Sequence, residues 1–66
     1  MKNLGLRIKK LREARMISIE KLSNDTGVAV IIIHACECGR SEMLNITHLI
    51  KLARYFGVTT DYLLGL

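Results

Sequence analysis

The sequence predicts an all-α domain. Apolar residues recur at helical spacing in two segments, of which the first contains Leu4, Ile8 and Leu11. Residues that cap helix N-termini precede three segments, and glycines follow them. A chain of 66 residues is a single domain, residues 1–66, and it is too small to be expected to enclose a large enzyme cleft.

The first two helices are predicted from periodicity and caps. Charged residues fall between the apolar positions of the first segment, which indicates an amphipathic helix over about residues 3–15. Ser18 is a good N-cap ahead of Ile19, and the turn residues that end at Gly27 limit the second helix to about residues 18–25.

The third segment carries conflicting signals. Residues 28–36 include five β-branched side chains and one polar one, so local propensity favours a strand. Against this, Gly27 and Gly39 delimit a segment of helical length, and Ile33 and Cys36 have the i, i+3 spacing of a buried helical face. We therefore expect a helix here.

The C-terminal segments have the clearest helical pattern. Asn45 can cap a helix whose apolar stripe stops at Gly57, and Thr59 can cap a short last helix that ends at Gly65. The predicted helices cover residues 3–15, 18–25, 29–37, 45–56 and 60–64, around a core of Leu11, Leu22, Ile33, Leu49, Leu52 and Phe56.

The charge is concentrated near the N-terminus. The net charge is +4, and residues 1–16 hold Lys2, Arg7, Lys9, Lys10, Arg12 and Arg15 against Glu13 alone. Such a cluster is either the electrostatic footprint of a DNA-binding protein or the solvated face of an amphipathic helix. Composition alone favours the solvated face of an amphipathic helix.

Several runs of residues resemble the Cro and phage-repressor type of helix-turn-helix domain, the XRE-like group. The resemblance extends over nearly the whole chain and is most specific in its C-terminal half. The runs are Arg7-Ile-Lys-Lys-Leu-Arg12, Ile17-Ser18, Gly27-Val28, Cys36-Glu-Cys-Gly-Arg40, Leu49-Ile-Lys-Leu-Ala-Arg-Tyr-Phe-Gly-Val58 and Asp61-Tyr-Leu-Leu-Gly65.

Membership of that group implies a lambda-repressor-like bundle of five helices, with the second and third forming the helix-turn-helix. The third helix, about residues 29–37, would lie in the major groove. The function implied is sequence-specific, repressor-like transcription regulation by a homodimer on double-stranded DNA.

The residues at the family's base-reading positions depart from its usual chemistry. Ile19, Val30, Ile31 and Ala35 are apolar and cannot hydrogen-bond a base edge, and Ala29 stands where a Ser or Thr cap is usual. The positioning of phosphates is better supported than base reading. The candidate DNA-binding residues are Arg7, Arg12, Ser18, Ile19, Lys21, Ala29, Val30, Ile31, His34, Ala35 and Arg40.

Two other functions stay open. In one, the apolar third helix docks a protein partner, either a second copy or an antagonist, and DNA binding is weak or nonspecific. In the other, the chain is an altered variant that has lost its recognition function.

Catalysis, cofactors and metals are not expected. The pattern His34-x-Cys36-x-Cys38 offers three ligands at most, and on a helix Cys36 points away from the other two, so a closed zinc site is not predicted. No catalytic constellation is evident in the sequence. With no membrane-spanning apolar run and no signal peptide, the protein is expected to be cytoplasmic.

Overall fold

The computed structural model describes residues 3–66. Within that range the chain is helical and contains no strand, which confirms the all-α prediction, and the helix ends lie within about a residue or two of those predicted. The helices are α1 (Leu4–Ala14), α2 (Ile19–Thr26), α3 (Val30–Glu37), α4 (Ile46–Phe56) and α5 (Thr60–Leu64), and a short 3₁₀ turn, Ser41–Met43, connects α3 to α4.

Side chains at the N-termini of three helices form the caps predicted for them. Ser18 Oγ accepts a hydrogen bond from the backbone N–H of Lys21 (3.0 Å), and Thr59 caps α5 in the same way. Asn45 and His48 form a reciprocal capping box at the start of α4. These local bonds satisfy backbone donors that a helix leaves unpaired, and they fix where the helices begin.

One core joins all five helices. Its fully buried members include Ile8 of α1, Leu22 of α2, Ile33 of α3, Leu52 of α4 and Leu63 of α5. All but one of the predicted core residues are buried. The exception is Leu11, which is only partly buried and packs against the edge of the core.

The predicted conflict in the third segment is resolved in favour of a helix. Val28, Ile33 and Cys36 are completely buried, so the β-branched segment contributes a major part of the core. Ala29 is the N-cap residue of α3. It makes no side-chain cap bond, because its methyl side chain has no hydrogen-bonding atom. Burial of the inner face therefore outweighs the local preference for a strand.

Helices α1 and α3 cross in close contact at Gly5. A Cβ atom placed on Gly5 would lie 1.8 Å from the backbone oxygen of Cys36. Only a residue without a side chain allows the two backbones to approach this closely. Gly5 thus sets the position of α3 relative to α1.

A partly buried ion pair strengthens the same contact. Arg12 of α1 donates two hydrogen bonds to the carboxylate of Glu37, the last residue of α3, at 2.8 and 2.9 Å. The Glu37 side chain is only 6% exposed, and the hydrogen bond to it raises the pKa of Arg12. The same guanidinium donates to the carbonyl of Ile17 (2.9 Å), and so joins α1, the α1–α2 turn and α3.

Arg15 connects the end of α1 to the end of α4. Its guanidinium donates to the carbonyl oxygens of Tyr55 and Phe56, both at 3.1 Å, and lies about 5 Å from both ring centroids. Cations favour the C-terminus of a helix, where carbonyls lack intrahelical partners. Arg15 therefore acts as a C-cap supplied from another helix.

Candidate nucleic-acid interface

The turn between α2 and α3 is fixed by three consecutive residues. Gly27 ends α2 in the left-handed conformation (φ 78°), and its N–H donates to the carbonyl of Ser23 at 2.8 Å. Thr26 Oγ1 donates to the carbonyl of Leu22 (2.7 Å) and accepts from the N–H of Val28 (3.2 Å). These bonds replace helical bonds at the turn and direct α3 away from the axis of α2.

Helix α3 has one buried face and one exposed face. Ile33 and Cys36 point into the core, whereas Val30 is 41% exposed, Ile31 is 68% exposed and His34 is also exposed. The exposed residues have the i, i+1, i+4 spacing of one helical face. The outer surface of α3 is therefore apolar near its N-terminus and carries an imidazole in the middle.

The structure places Ala35 differently from the sequence-based expectation. Ala35 is only 8% exposed, so although it lines the same cavity as Ile31 and His34, it offers almost no surface to a ligand. Its position follows from the helical register set by Ile33 and Cys36, between which it lies. Ala29, by contrast, is exposed at the N-terminus of α3.

The N-terminus of α2 presents exposed polar groups. Ser18 is exposed, and the extended backbone at this position leaves its hydroxyl on the N-terminal end of the helix. Ile19, the next residue, is half-buried and packs against the core, which leaves only part of its side chain for a ligand.

The four basic residues proposed for phosphate contact have different surroundings. Arg12 is committed to Glu37, as described above, and is mostly buried, so the structure does not support it as a free phosphate contact. Arg7 is half-buried, with its guanidinium beside Gly65 at the C-terminus of α5. Arg40, just beyond α3, is exposed and makes no ion pair within residues 3–66.

Lys21 lies on the exposed side of α2 and pairs with Asp25 one turn later, at 3.2 Å. The hydroxyl of Tyr55 also donates to this carboxylate (2.7 Å), and that hydrogen bond, with the Lys21 cation, lowers the pKa of Asp25. Because the pair is exposed, a stronger anion such as phosphate could compete for Lys21 at little cost. Lys2, part of the predicted basic cluster, lies outside the described residues.

The two cysteines have contrasting environments. Cys36 is fully buried, and burial, with the nearby Glu37 charge, raises the pKa of its thiol to about 11. Cys38 is exposed, and its Sγ lies 3.7 Å from His34 Nε2. Within the described part of the chain no group of three or more His, Cys, Asp or Glu side chains is placed to hold a metal ion.

Sequence reasoning did not assign a role to two residues that position α3. Glu37 stands only within a run of family-like residues, and Gly5 lies inside the predicted first helix without an assigned role. The available signal for Glu37 was an acidic residue at the end of an apolar segment, and that signal does not identify Arg12 as its partner. No local signal distinguishes a crossing glycine from any other.

Two helices joined by a left-handed glycine turn, the second with an exposed outer face, define a helix-turn-helix protein. The comparison with protein families agrees: the model described as "Helix-turn-helix domain" matches residues 5–66, and the chain belongs to this family. No curated protein and no solved structure gives a significant match to the chain. Across residues 3–66, none of the helices has both the length and the apolar character needed to cross a bilayer.

Proposed function

We propose that this chain is a DNA-binding transcription regulator of the Cro and phage-repressor type, XRE-like and repressor-like, which acts in the cytoplasm as a homodimer on double-stranded DNA. It has no catalytic role. The observation that carries the proposal is the exposed outer face of α3, directly after a helix-turn-helix turn, together with the capped and exposed N-terminus of α2. Helices presented in this way enter the major groove in proteins of this architecture.

Phosphate contacts are expected to provide most of the affinity. The N-termini of α2 and α3 offer backbone N–H groups and a partial positive charge to phosphates, and Ser18 adds a hydroxyl. Arg40 adds an exposed cation at the far end of α3 that has no ion pair among residues 3–66. Lys21 adds a second cation, which would give up its ion pair with Asp25 to bind phosphate. These groups position the protein on DNA without distinguishing one base from another.

Base contacts are expected to be fewer and mostly apolar. Val30 and Ile31 can contact thymine methyl groups, which discriminate less than paired hydrogen bonds do. His34 is the one exposed side chain of α3's outer face that can hydrogen-bond a base edge. The proposal therefore combines strong dependence on salt with modest selectivity among sequences.

The test is a comparison of duplexes of different sequence, measured by fluorescence anisotropy over a range of salt concentrations. Arg40→Ala should weaken binding to every duplex by the same factor. It should also reduce the slope of log K against log salt concentration by about one, because one fewer counterion is released on binding. Arg54→Ala removes an equal charge from an exposed position on the last turn of α4 and should change affinity much less. Equal effects of the two variants would contradict the proposed orientation, and so would an Arg40→Ala effect confined to one sequence.

A second candidate function is a protein-docking role for α3. The observation in its favour is the adjacent exposure of Val30 and Ile31, which is unusual on a free monomer. In this alternative a second copy or a protein antagonist covers these side chains.

The double variant Val30→Gln with Ile31→Lys distinguishes the two functions. Both side chains are exposed, so the variant should remain folded by circular dichroism and become more soluble, because an apolar β-prone surface is removed. If docking is the function, light scattering should show a smaller assembly while nonspecific DNA affinity stays weak. If DNA binding is the function, electrostatic affinity should persist. Loss of the fold would show that the two side chains belong to the core.

A further inference from the structure

His34 of α3 and Cys38, the C-cap residue directly after that helix, bring together two metal-binding side chains, of which only His34 is also a proposed base contact. His34 and Cys38 are one helical turn apart, both are exposed, and Cys38 Sγ lies 3.7 Å from Nε2 and 4.0 Å from Nδ1 of the imidazole. From these two donors we propose a chelating site for a soft monovalent cation of low coordination number, with Cu⁺ as its chemical type.

The separation of the two donor atoms fits a shared metal ion. With bond lengths like those of Zn²⁺, about 2.3 Å to sulfur and about 2.0 Å to nitrogen, one metal ion can join donors up to about 4.3 Å apart. Cys38 Sγ and His34 Nε2, which are 3.7 Å apart, lie within that reach. The similar distances to the two ring nitrogens mean that the imidazole must rotate about χ2 to direct a lone pair at the metal, which its exposure permits.

The surroundings favour a soft monovalent cation over a hard or divalent one. The two donors line a cavity to which Arg40 and Met43 also contribute. The thioether of Met43 is another soft ligand. None of the described residues that line the cavity is a carboxylate, so nothing there balances a second positive charge. Two protein donors leave a zinc site incomplete, whereas trigonal Cu⁺ needs only one more ligand.

The exchange that accompanies binding is balanced in charge. The thiol of Cys38 loses its proton to solvent as the sulfur–metal bond forms, while the imidazole binds through a neutral nitrogen. One proton is exchanged for one monovalent cation, so the net charge near Arg40 does not change.

The test is anaerobic titration of the full chain with Cu⁺ in competition with a chromophoric Cu⁺ chelator. One Cu⁺ per chain should bind. Cys38→Ser should abolish this binding, and His34→Ala should weaken it about a hundredfold, because the second donor acts at a high effective concentration. Both residues are exposed, and far-UV circular dichroism should show unchanged helix content.

Cys36 provides the matched control, since it is the other thiol of the chain and is fully buried. Cys36→Ala should keep the wild-type affinity. If that variant does not fold, alkylation of the native protein at exposed Cys38 serves instead and should remove Cu⁺ binding. The proposal is overturned if the wild type does not bind Cu⁺, if His34→Ala binds as tightly as the wild type, or if binding survives the loss of Cys38.

Discussion

Substitution of Gly5 by Ala tests whether the close crossing of α1 and α3 defines the fold. A Cβ atom would lie 1.8 Å from the backbone oxygen of Cys36 and 2.7 Å from its carbonyl carbon. Ordinary carbon–oxygen contacts begin near 3.3 Å, so the helices would have to separate by about 1.5 Å. The obstacle is backbone, which cannot rotate away as a side chain can.

Two effects of opposite sign decide the magnitude. Alanine stabilises a helix interior by about 1 kcal/mol relative to glycine, and somewhat less in the first turn, where Gly5 lies. Overpacking of a core costs about 1–3 kcal/mol, and a clash with rigid backbone belongs at the upper end of that range. The net loss should be about 2 kcal/mol, which for a domain of this size lowers the melting temperature by roughly 10 °C.

Urea denaturation followed by circular dichroism at 222 nm measures this loss. The control is Lys9→Ala, an exposed substitution on the same helix, which should change the free energy of unfolding by no more than about 0.5 kcal/mol. A Gly5→Ala protein as stable as the wild type, or more stable, would refute the argument that these two backbones are in contact.

Three further substitutions test the helix ends and the ion pair by the same unfolding measurement. Ala29→Ser supplies the missing N-cap of α3 at an exposed position and should stabilise the domain by about 1 kcal/mol; a neutral result would mean that the α3 N-terminus is satisfied in another way. Met16→Gly relieves a positive φ (56°) at a side chain that is 92% exposed, and should be stabilising by up to about 1 kcal/mol rather than destabilising. Arg12→Ala leaves the buried carboxylate of Glu37 without its cation and should cost about 3 kcal/mol, whereas a cost below about 1 kcal/mol would show that the pair behaves as an exposed one.

The helix ends could be predicted because their determinants are local. Ser18, Asn45 and Thr59 each accept a hydrogen bond from a backbone N–H three residues later. Each of these three helices is followed directly by a glycine. Such interactions join residues that are close together in the sequence, so the residue types at the helix ends are enough to predict them. The same locality made the capped α4 stripe easy to recognise.

The partners of Arg12 and Gly5 could not be predicted from local sequence. Arg12 was assigned to phosphate on its charge alone, but its partner Glu37 is 25 positions away, and only the crossing of α1 and α3 brings them together. The burial of Ala35 was missed for a related reason. Its place on α3 depends on the rotation of the helix about its axis, which the contacts with α1 and α2 determine.

Helix α3 shows how far the candidate site depends on the rest of the fold. Its β-branched residues cost about 2 kcal/mol in a helix and its missing cap about 1 kcal/mol more. Full burial of side chains such as Ile33 contributes about 1.5–3 kcal/mol each, and these gains exist only while α1 holds its position against α3. Gly5 and Arg12 therefore act on the proposed DNA-facing surface without touching it. Weakening either contact should release a segment whose local preference is a strand, so the first consequence of destabilisation should be self-association through α3 rather than simple loss of affinity.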